Sequence, residues 1–350
     1  MKKIISRVLM MAATLSVSFA LTGCGGASND KITLKVFNWG DYIGEEVIQK
    51  FEDKYNINVQ YSIFTTNEDM YVKMKAGGGD YDVVIPSDYM IKKMINEGMV
   101  KKIDLNNIPN YKYIDDKFKN LSFDPNNEYS VPYMWGTVGI IYNKTMVKEP
   151  VDSWNILWDK KYDKQIFMLD SLRDSIGVTL KKLGYSLNTK NKDELERAKN
   201  ELIKQKDIVQ AYVGDEVKDK MIMDEGAMAV VWSGDAVYMK SQNKDLEYVI
   251  PKEGSNLWFD SMVIPSNAKH QKEAEDFINF MCETEIALEN TNYIGYSTPQ
   301  TEAKKKVAPA LLKDITAYPT DEQIKNCEVF IDLDASIKDY DKIWTEITSR

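Results

Sequence analysis

Residues 31–42 read KITLKVFNWGDY. The alternating ITLKVF run has the period of a strand, and the chain then turns into a loop carrying Trp39, Asp41 and Tyr42, two flat rings beside a carboxylate. Downstream, EEVIQKFEDKY puts Val47, Ile48, Phe51 and Tyr55 on one helical face, and INVQYSIF alternates apolar residues at Ile57, Val59, Tyr61 and Ile63. Asn67 is suited to cap a helix bearing Met70, Tyr71 and Met74; the glycines Gly77 to Gly79 stop it before YDVVIP, a short strand closed by Pro86. Strand, helix, strand, helix, strand predicts a mainly parallel sheet with helices on its faces. Ligands of such sheets sit beyond the C-terminal ends of the strands. Trp39, Asp41 and Tyr42 lie at one such end, and PSDY, with Ser87, Asp88 and Tyr89, lies at another. The competing expectation is that Trp39 and Tyr42 pack the loop onto the sheet while Asp41 caps the helix that follows.

A second α/β block runs over residues 136–258. SLRDSIGVTLKKLGY reads as a capped helix, DELERAKNELIKQ as an amphipathic surface helix, and GAMAVVWSGDAVYMK as a buried strand passing through Ser233-Gly234 into a helix. VIPSNAKHQKEAEDFINFMCET then reads as a strand, a turn and a long helix. The absence of an internal repeat and of a Ser/Pro-rich linker favours two lobes joined by crossing strands over two separate beads.

The first residues have the layout of an export signal: Lys2, Lys3 and Arg7, an uncharged run from Val8 to Leu21, then Leu21-Thr22-Gly23-Cys24. The pattern resembles a bacterial lipoprotein signal, which implies removal of residues 1–23, lipidation of Cys24 and a tether over residues 24–30. The formal charge of −9 becomes −12 once three basic residues leave with the signal (−9 − 3). Such acidity disfavours nucleic acid and favours cationic partners. Cys282 and Cys327 are the remaining thiols, so the exported body relies on its core rather than on disulfides.

Several chemistries lack their parts. His270 is the single histidine and sits in what reads as an exposed turn, so a Ser/His/Asp or Cys/His system would rest on it alone. No Cys/His spacing suits zinc, no acidic loop suits calcium, and Gly77 to Gly79 lack the lysine of a phosphate cradle. No cofactor and no metal are called for. What recurs is an aromatic beside an acid at strand ends: Trp39 with Asp41 and Tyr42, Tyr89 beside Asp88, Trp232 closing a strand, and Trp258 two before Asp260. Asp170 and Asp174 bracket Leu172-Arg173 at a helix start. Carboxylates hydrogen-bond ammonium groups, and ring faces attract the same cations by about 0.5–2 kcal/mol each while covering the methylenes between them. Acids at the ends of flat walls suit a linear aliphatic amine; a sugar, which also favours aromatic walls, is the competitor.

The segments NWGDY, PSDY, EGMVKKID, FDPNNEYSVPYMWG, WSGDA, PKEGSNLWFDSMVIP and IGYSTP, in that order, resemble the spermidine/putrescine-binding proteins of bacterial ABC uptake systems. The resemblance spans essentially the whole mature chain. It implies a two-lobed periplasmic-binding-protein-like α/β fold, each lobe a mainly parallel sheet flanked by helices, with the ligand cleft between the lobes. It places one lobe at residues 31–136 plus 259–304 and the other at 137–258 plus 305–350, with crossings near Trp135 to Thr137 and Trp258 to Asp260. Trp39, Asp41, Tyr42, Ser87 and Tyr89 match cleft positions; Trp232, Trp258 and Tyr296 match the rings around the alkyl chain; Asp174 and Asp260 match acids set against ammonium groups. This chain departs from the family's spermidine binder at Gly40 and Asp88, where that protein has threonines, at Ser171 in place of an acid, and at Phe330 in place of a glutamine. Putrescine is therefore a contender beside spermidine, with Asp88 or Asp170 available to restore charge. The expected protein is a non-enzymatic monomer, lipid-anchored outside the cytoplasmic membrane and serving a permease driven by a cytoplasmic ATPase. The rivals are the same fold with a sugar, cationic vitamin or ferric ion as cargo, an exported carboxylate-dependent hydrolase, and an adhesin or signalling receptor.

Overall fold

The computed structural model describes residues 31–349. Nine strands among them form one continuous sheet: β1 (Thr33–Trp39), β2 (Asn58–Phe64), β3 (Val83–Val84), β4 (Ser130–Asn143), β5 (Ile166–Leu169), β6 (Val209–Val213), β7 (Met228–Trp232), β8 (Leu246–Val249) and β9 (Leu257–Val263). The strand order is β2-β1-β3-β9-β4-β7-β5-β6, with β8 paired to β4. At one end β2, β1 and β3 run parallel, and at the other β6, β5 and β7 do. The helices expected between them are present, Val47–Tyr55 after β1 and Asn67–Lys75 after β2.

The middle of the sheet is antiparallel. β4 pairs with β9 from Ser130 to Thr137 and with β7 from Val138 onward, so this one long strand serves both parallel groups. Its start is set by the FDPNNEYS segment. The buried Asp124 carboxylate accepts the backbone N–H groups of Glu128, Tyr129 and Ser130 and the Ser130 hydroxyl, which satisfies the donors of the turn before the strand begins. Asn127 takes the left-handed conformation within that turn (φ 49°). Helix packing then covers the sheet; Phe51, for example, meets Tyr55, Phe277 and Phe280 at ring separations of 4.7, 5.0 and 5.5 Å. Truncating such a ring costs about 3–5 kcal/mol.

Four local expectations change. Thr66, not Asn67, caps the second helix, its hydroxyl accepting from Asp69 N; Asn67 is its first residue and turns inward to Ser87 and Tyr89. Asp41 caps nothing: the helix begins at Val47, and Asp41 is an exposed left-handed residue (φ 48°). The alternation along β2 ends early, with Ile63 61% exposed and Phe64 buried in its place, because β2 is an edge strand. His270 is half-buried rather than fully solvated and precedes the helix Gln271–Met281. Both Cys282 and Cys327 are free thiols. The signal and the Cys24 tether lie outside the described residues.

Candidate functional site

Asp260 is the centre of the site. It sits in β9, opposite Met134 of β4, and bridges to Ser87, the residue that opens the helix Asp88–Asn96. Its side chain is buried. The Tyr42 hydroxyl donates to Oδ2 at 2.7 Å, whereas Oδ1 is buried without any partner. Burial pushes the Asp260 carboxyl up to about 6, held in check by the polar Ser87 and Tyr42 side chains beside it. Tyr42 is itself fixed by the chain around it: its carbonyl accepts from the Tyr133 hydroxyl at 2.6 Å, and its ring meets Tyr133 and Tyr296 edge-on at 5.3 and 5.5 Å.

Two more rings close this corner. Trp258 and Tyr296 stand edge-on at 5.0 Å, and the Trp258 indole N–H is buried without an acceptor. Their close fit depends on glycine. A Cβ on Gly136 would come within 2.5 Å of the Trp258 ring, and one on Gly234 within 2.1 Å of the Tyr296 ring. Hence the glycines of MWG and WSGDA let aromatic side chains lie flat against the backbone.

Around that centre are three further clusters. Asp174, buried in the first turn of the helix Leu172–Lys182, accepts from the Ser171 hydroxyl at 2.8 Å and from Asn256 Nδ2 at 3.1 Å. Its carboxyl is raised by burial and opposed by Ser171, Asn256, Arg173 and Trp232. Tyr89 donates its hydroxyl to Glu68 at 2.9 Å and accepts from Asn67, and its ring lies edge-on to Phe330. The Arg173 guanidinium stacks 4.9 Å from the Tyr89 ring and 4.2 Å from the Phe330 ring, so the chain's own cation covers those faces. Asp41, on the exposed loop after Trp39, pairs with Lys218 at 3.1 Å.

The sequence-derived residues therefore divide. Tyr42, Ser87, Trp258, Asp260 and Tyr296 are brought together. Trp39 flanks them half-buried, its indole N–H donating to the Ile85 carbonyl at 2.9 Å and its ring tilted over Phe64. Ser171, Asp174 and Trp232 form a neighbouring acid cluster, and Tyr89 with Phe330 forms another centred on Arg173. Asp88 is fully buried but occupied: its two oxygens accept the backbone N–H groups of Tyr89 and Phe259, and burial still pushes it up to about 8. Asp170 is exposed at the end of β5. Neither supplies an inward-facing free carboxylate. Sequence reasoning passed over Tyr133, Asn256, Asp235, Lys218 and Arg173; Asn256 and Asp235 lay inside segments already singled out, SNLWFDS and WSGDA, but nothing local marks Lys218. No group of acids, histidines or cysteines among the described residues has the arrangement of a metal site, and no helix among them is long and apolar enough to cross a membrane.

Comparison with known proteins agrees with this architecture. The family model for bacterial extracellular solute-binding proteins matches residues 46–320. The chain is 36% identical to the spermidine/putrescine-binding periplasmic protein of Escherichia coli over 98% of each chain. Among solved structures, the spermidine/putrescine ABC transporter substrate-binding protein PotD of Streptococcus pneumoniae superposes with a TM-score of 0.77 at 42% identity, covering 91% of this chain and 99% of that one. The Tp0655 lipoprotein of Treponema pallidum gives 0.81 at 28% identity, covering 91% and 100%. The first two are binding proteins, and the fold these structures share is the two-lobed α/β architecture. By sequence and fold, the chain belongs to the bacterial extracellular solute-binding proteins.

Proposed function

We propose that this protein is the polyamine receptor of an ABC uptake system, capturing putrescine or spermidine outside the cytoplasmic membrane and presenting it to the permease. One observation carries the reading. Asp260 Oδ1 is a buried carboxylate oxygen with no donor, beside the Trp258 and Tyr296 rings. A buried anion without a cationic partner is costly, and a primary ammonium supplies both the charge and a further N–H for its Oδ1. The rings offer π-faces and apolar cover to the methylenes that follow. The site needs no covalent step, and its acids serve as counter-ions. A neutral sugar would leave the charge of Asp260 uncompensated.

In this reading the ligand is held between a lobe of residues 31–136 plus 259–304 and a lobe of 137–258 plus 305–350. The exchange of β4 from β9 to β7 between Thr137 and Val138 is a natural place for hinge motion. The body is monomeric and tethered by lipid on Cys24 to the outer face of the cytoplasmic membrane. Titration calorimetry with putrescine, spermidine and spermine, against glucose as the neutral comparator, tests the assignment. Micromolar or tighter binding of at least one amine is expected; heat from glucose alone, or from none of the four, would refute it.

A further inference from the structure

The site carries a cation of its own. Lys218, in the short helix Val217–Ile222, holds its ammonium 3.1 Å from Asp41 Oδ2 and 3.9 Å from both Asp215 Oδ1 and Asp235 Oδ1. The lysine side chain is only 16% exposed, packed over the buried Asp235, while Asp41 and Asp215 lie on the solvent side of it. Its three acids come from separate places: Asp41 from the loop after β1, Asp215 from the loop after β6, and Asp235 from the first turn of the helix Ser233–Gln242. Gly40 makes room for the approach, since a Cβ there would already lie 3.3 Å from Asp215 Oδ2.

Tyr296 joins this cluster to the Asp260 corner. Its side chain interacts electrostatically with Asp235 while its ring stands edge-on to Trp258 and Tyr42, the latter being the donor to Asp260. A lysine ammonium on a four-carbon stem is chemically the end of a polyamine. Here one is tethered among three carboxylates, with Tyr296 packed between it and the Asp260 corner.

We infer that Lys218 is a specificity-determining residue: a built-in ammonium that occupies the Asp41–Asp215–Asp235 cluster and tunes the site to a ligand with two ammonium groups over one with three. The inference rests on the polyamine reading above. With Lys218 in place, an amine extended beyond the Asp260 subsite brings its third ammonium against a like charge whose carboxylates are already engaged. Burial also raises Asp235 to about 7, so near neutral pH a proton shares in neutralising that one carboxylate beside Lys218. The departure at Gly40 belongs to the same arrangement, because a larger residue there would crowd Asp215.

The test is the ratio of spermidine to putrescine dissociation constants, measured by calorimetry on the wild-type protein, Lys218→Met and Lys218→Arg, with thermal melts as the folding control and Lys218→Gln as a second neutral variant. Removing the ammonium should lower that ratio at least tenfold in favour of spermidine, and arginine should restore the wild-type preference. An unchanged ratio in both neutral variants, with both amines still bound, overturns the role of Lys218 and leaves the polyamine reading standing. A wild-type protein that binds neither amine overturns the polyamine reading itself.

Discussion

Replacing Asp260 with Asn should move ligand affinity and ligand-free stability in opposite directions. In the folded protein the carboxyl is raised from 3.8 to about 6 by burial, and each tenfold change in proton affinity corresponds to about 1.4 kcal/mol. Holding this group ionised in the empty fold thus costs about 3 kcal/mol. Between those two values the native state binds the proton more tightly than the unfolded chain does. Its contribution to stability is therefore present below pH 3.8 and lost as pH rises through about 6. Asn keeps an oxygen for the Tyr42 hydroxyl but removes the charge, so the ligand-free variant should melt higher than the wild type at pH 7.5. Ligand binding should weaken. Truncating one partner of a buried charge pair costs about 2–5 kcal/mol; because the amide retains a dipole, the low end applies, and about 1.4 kcal/mol already gives a tenfold loss. The wild-type affinity should also decline as pH falls through about 6, while the variant lacks that component. Calorimetry with putrescine at pH 7.5 and 5.5, together with melts of the empty proteins, reads all three effects. Unchanged affinity in Asp260→Asn, or a lower melting temperature without ligand, would refute the reasoning.

Other consequences are simpler to check. Trp258→Ala removes a ring face and should weaken putrescine binding about two- to thirtyfold, the span of a cation–π contact of about 0.5–2 kcal/mol; equal affinity by calorimetry would remove Trp258 from the ligand wall. Burial pushes the Cys282 thiol up to about 12, so iodoacetamide at pH 8 should label it only after denaturation, as read by mass spectrometry of the intact and unfolded protein; rapid native labelling would contradict its buried position. Cys24→Ala in the producing cells should shift the protein from the membrane fraction to the soluble one, and retention in the membrane would end the lipid-anchor proposal.

The parts of the fold that local pattern controls were legible. Strand and helix alternate over residues 31–86 because each element buries one face, and the periodicity of that face is written in adjacent residues. The Trp232 strand end and the helix starting at Ser233 followed from the same logic. The recurrence of rings and acids where strands stop marked Tyr42, Trp258 and Asp260, and the family resemblance added Tyr296 and placed these residues with Ser87 around one cleft. Partners that arrive from afar were not legible. Asp88 carried no sign that the Phe259 N–H, 171 residues away, would occupy it. Lys218 reaches Asp41 across 177 residues from a short helix that carries no local mark of a site. Arg173 looked like a spacer between two acids, yet its guanidinium covers Tyr89 and Phe330. In each case the role depends on a tertiary approach that no local period encodes. Ile63 failed for a related reason, since alternation marks a buried face only where a neighbouring strand or helix exists to bury it.

The electrostatics of the site argue that ligand and closure are coupled through charge rather than shape alone. Asp88, Asp174, Asp235 and Asp260 are all buried, and burial raises every one of them above the ordinary carboxylate value. Two cations lie among them, Arg173 beside Asp174 and Lys218 beside Asp235. Arg173 is already committed to the Ile331 carbonyl, Asn188 and the Tyr89 and Phe330 rings, and Lys218 to Asp41. Asp235, raised to about 7, and Asp260, raised to about 6, thus carry buried negative charge that protons relieve at mildly acidic pH. A dication relieves it at neutral pH without proton uptake. Such a ligand binds the state in which these acids are desolvated better than the state in which water reaches them, which is the differential affinity that ligand-driven closure requires. A neutral cargo of the same size has no equivalent term. Proton release on putrescine binding, measured as the dependence of calorimetric heat on buffer ionisation enthalpy near pH 6.5, should therefore be positive; a heat independent of buffer would mean that the acids are ionised before the ligand arrives, and the proposed coupling would fail.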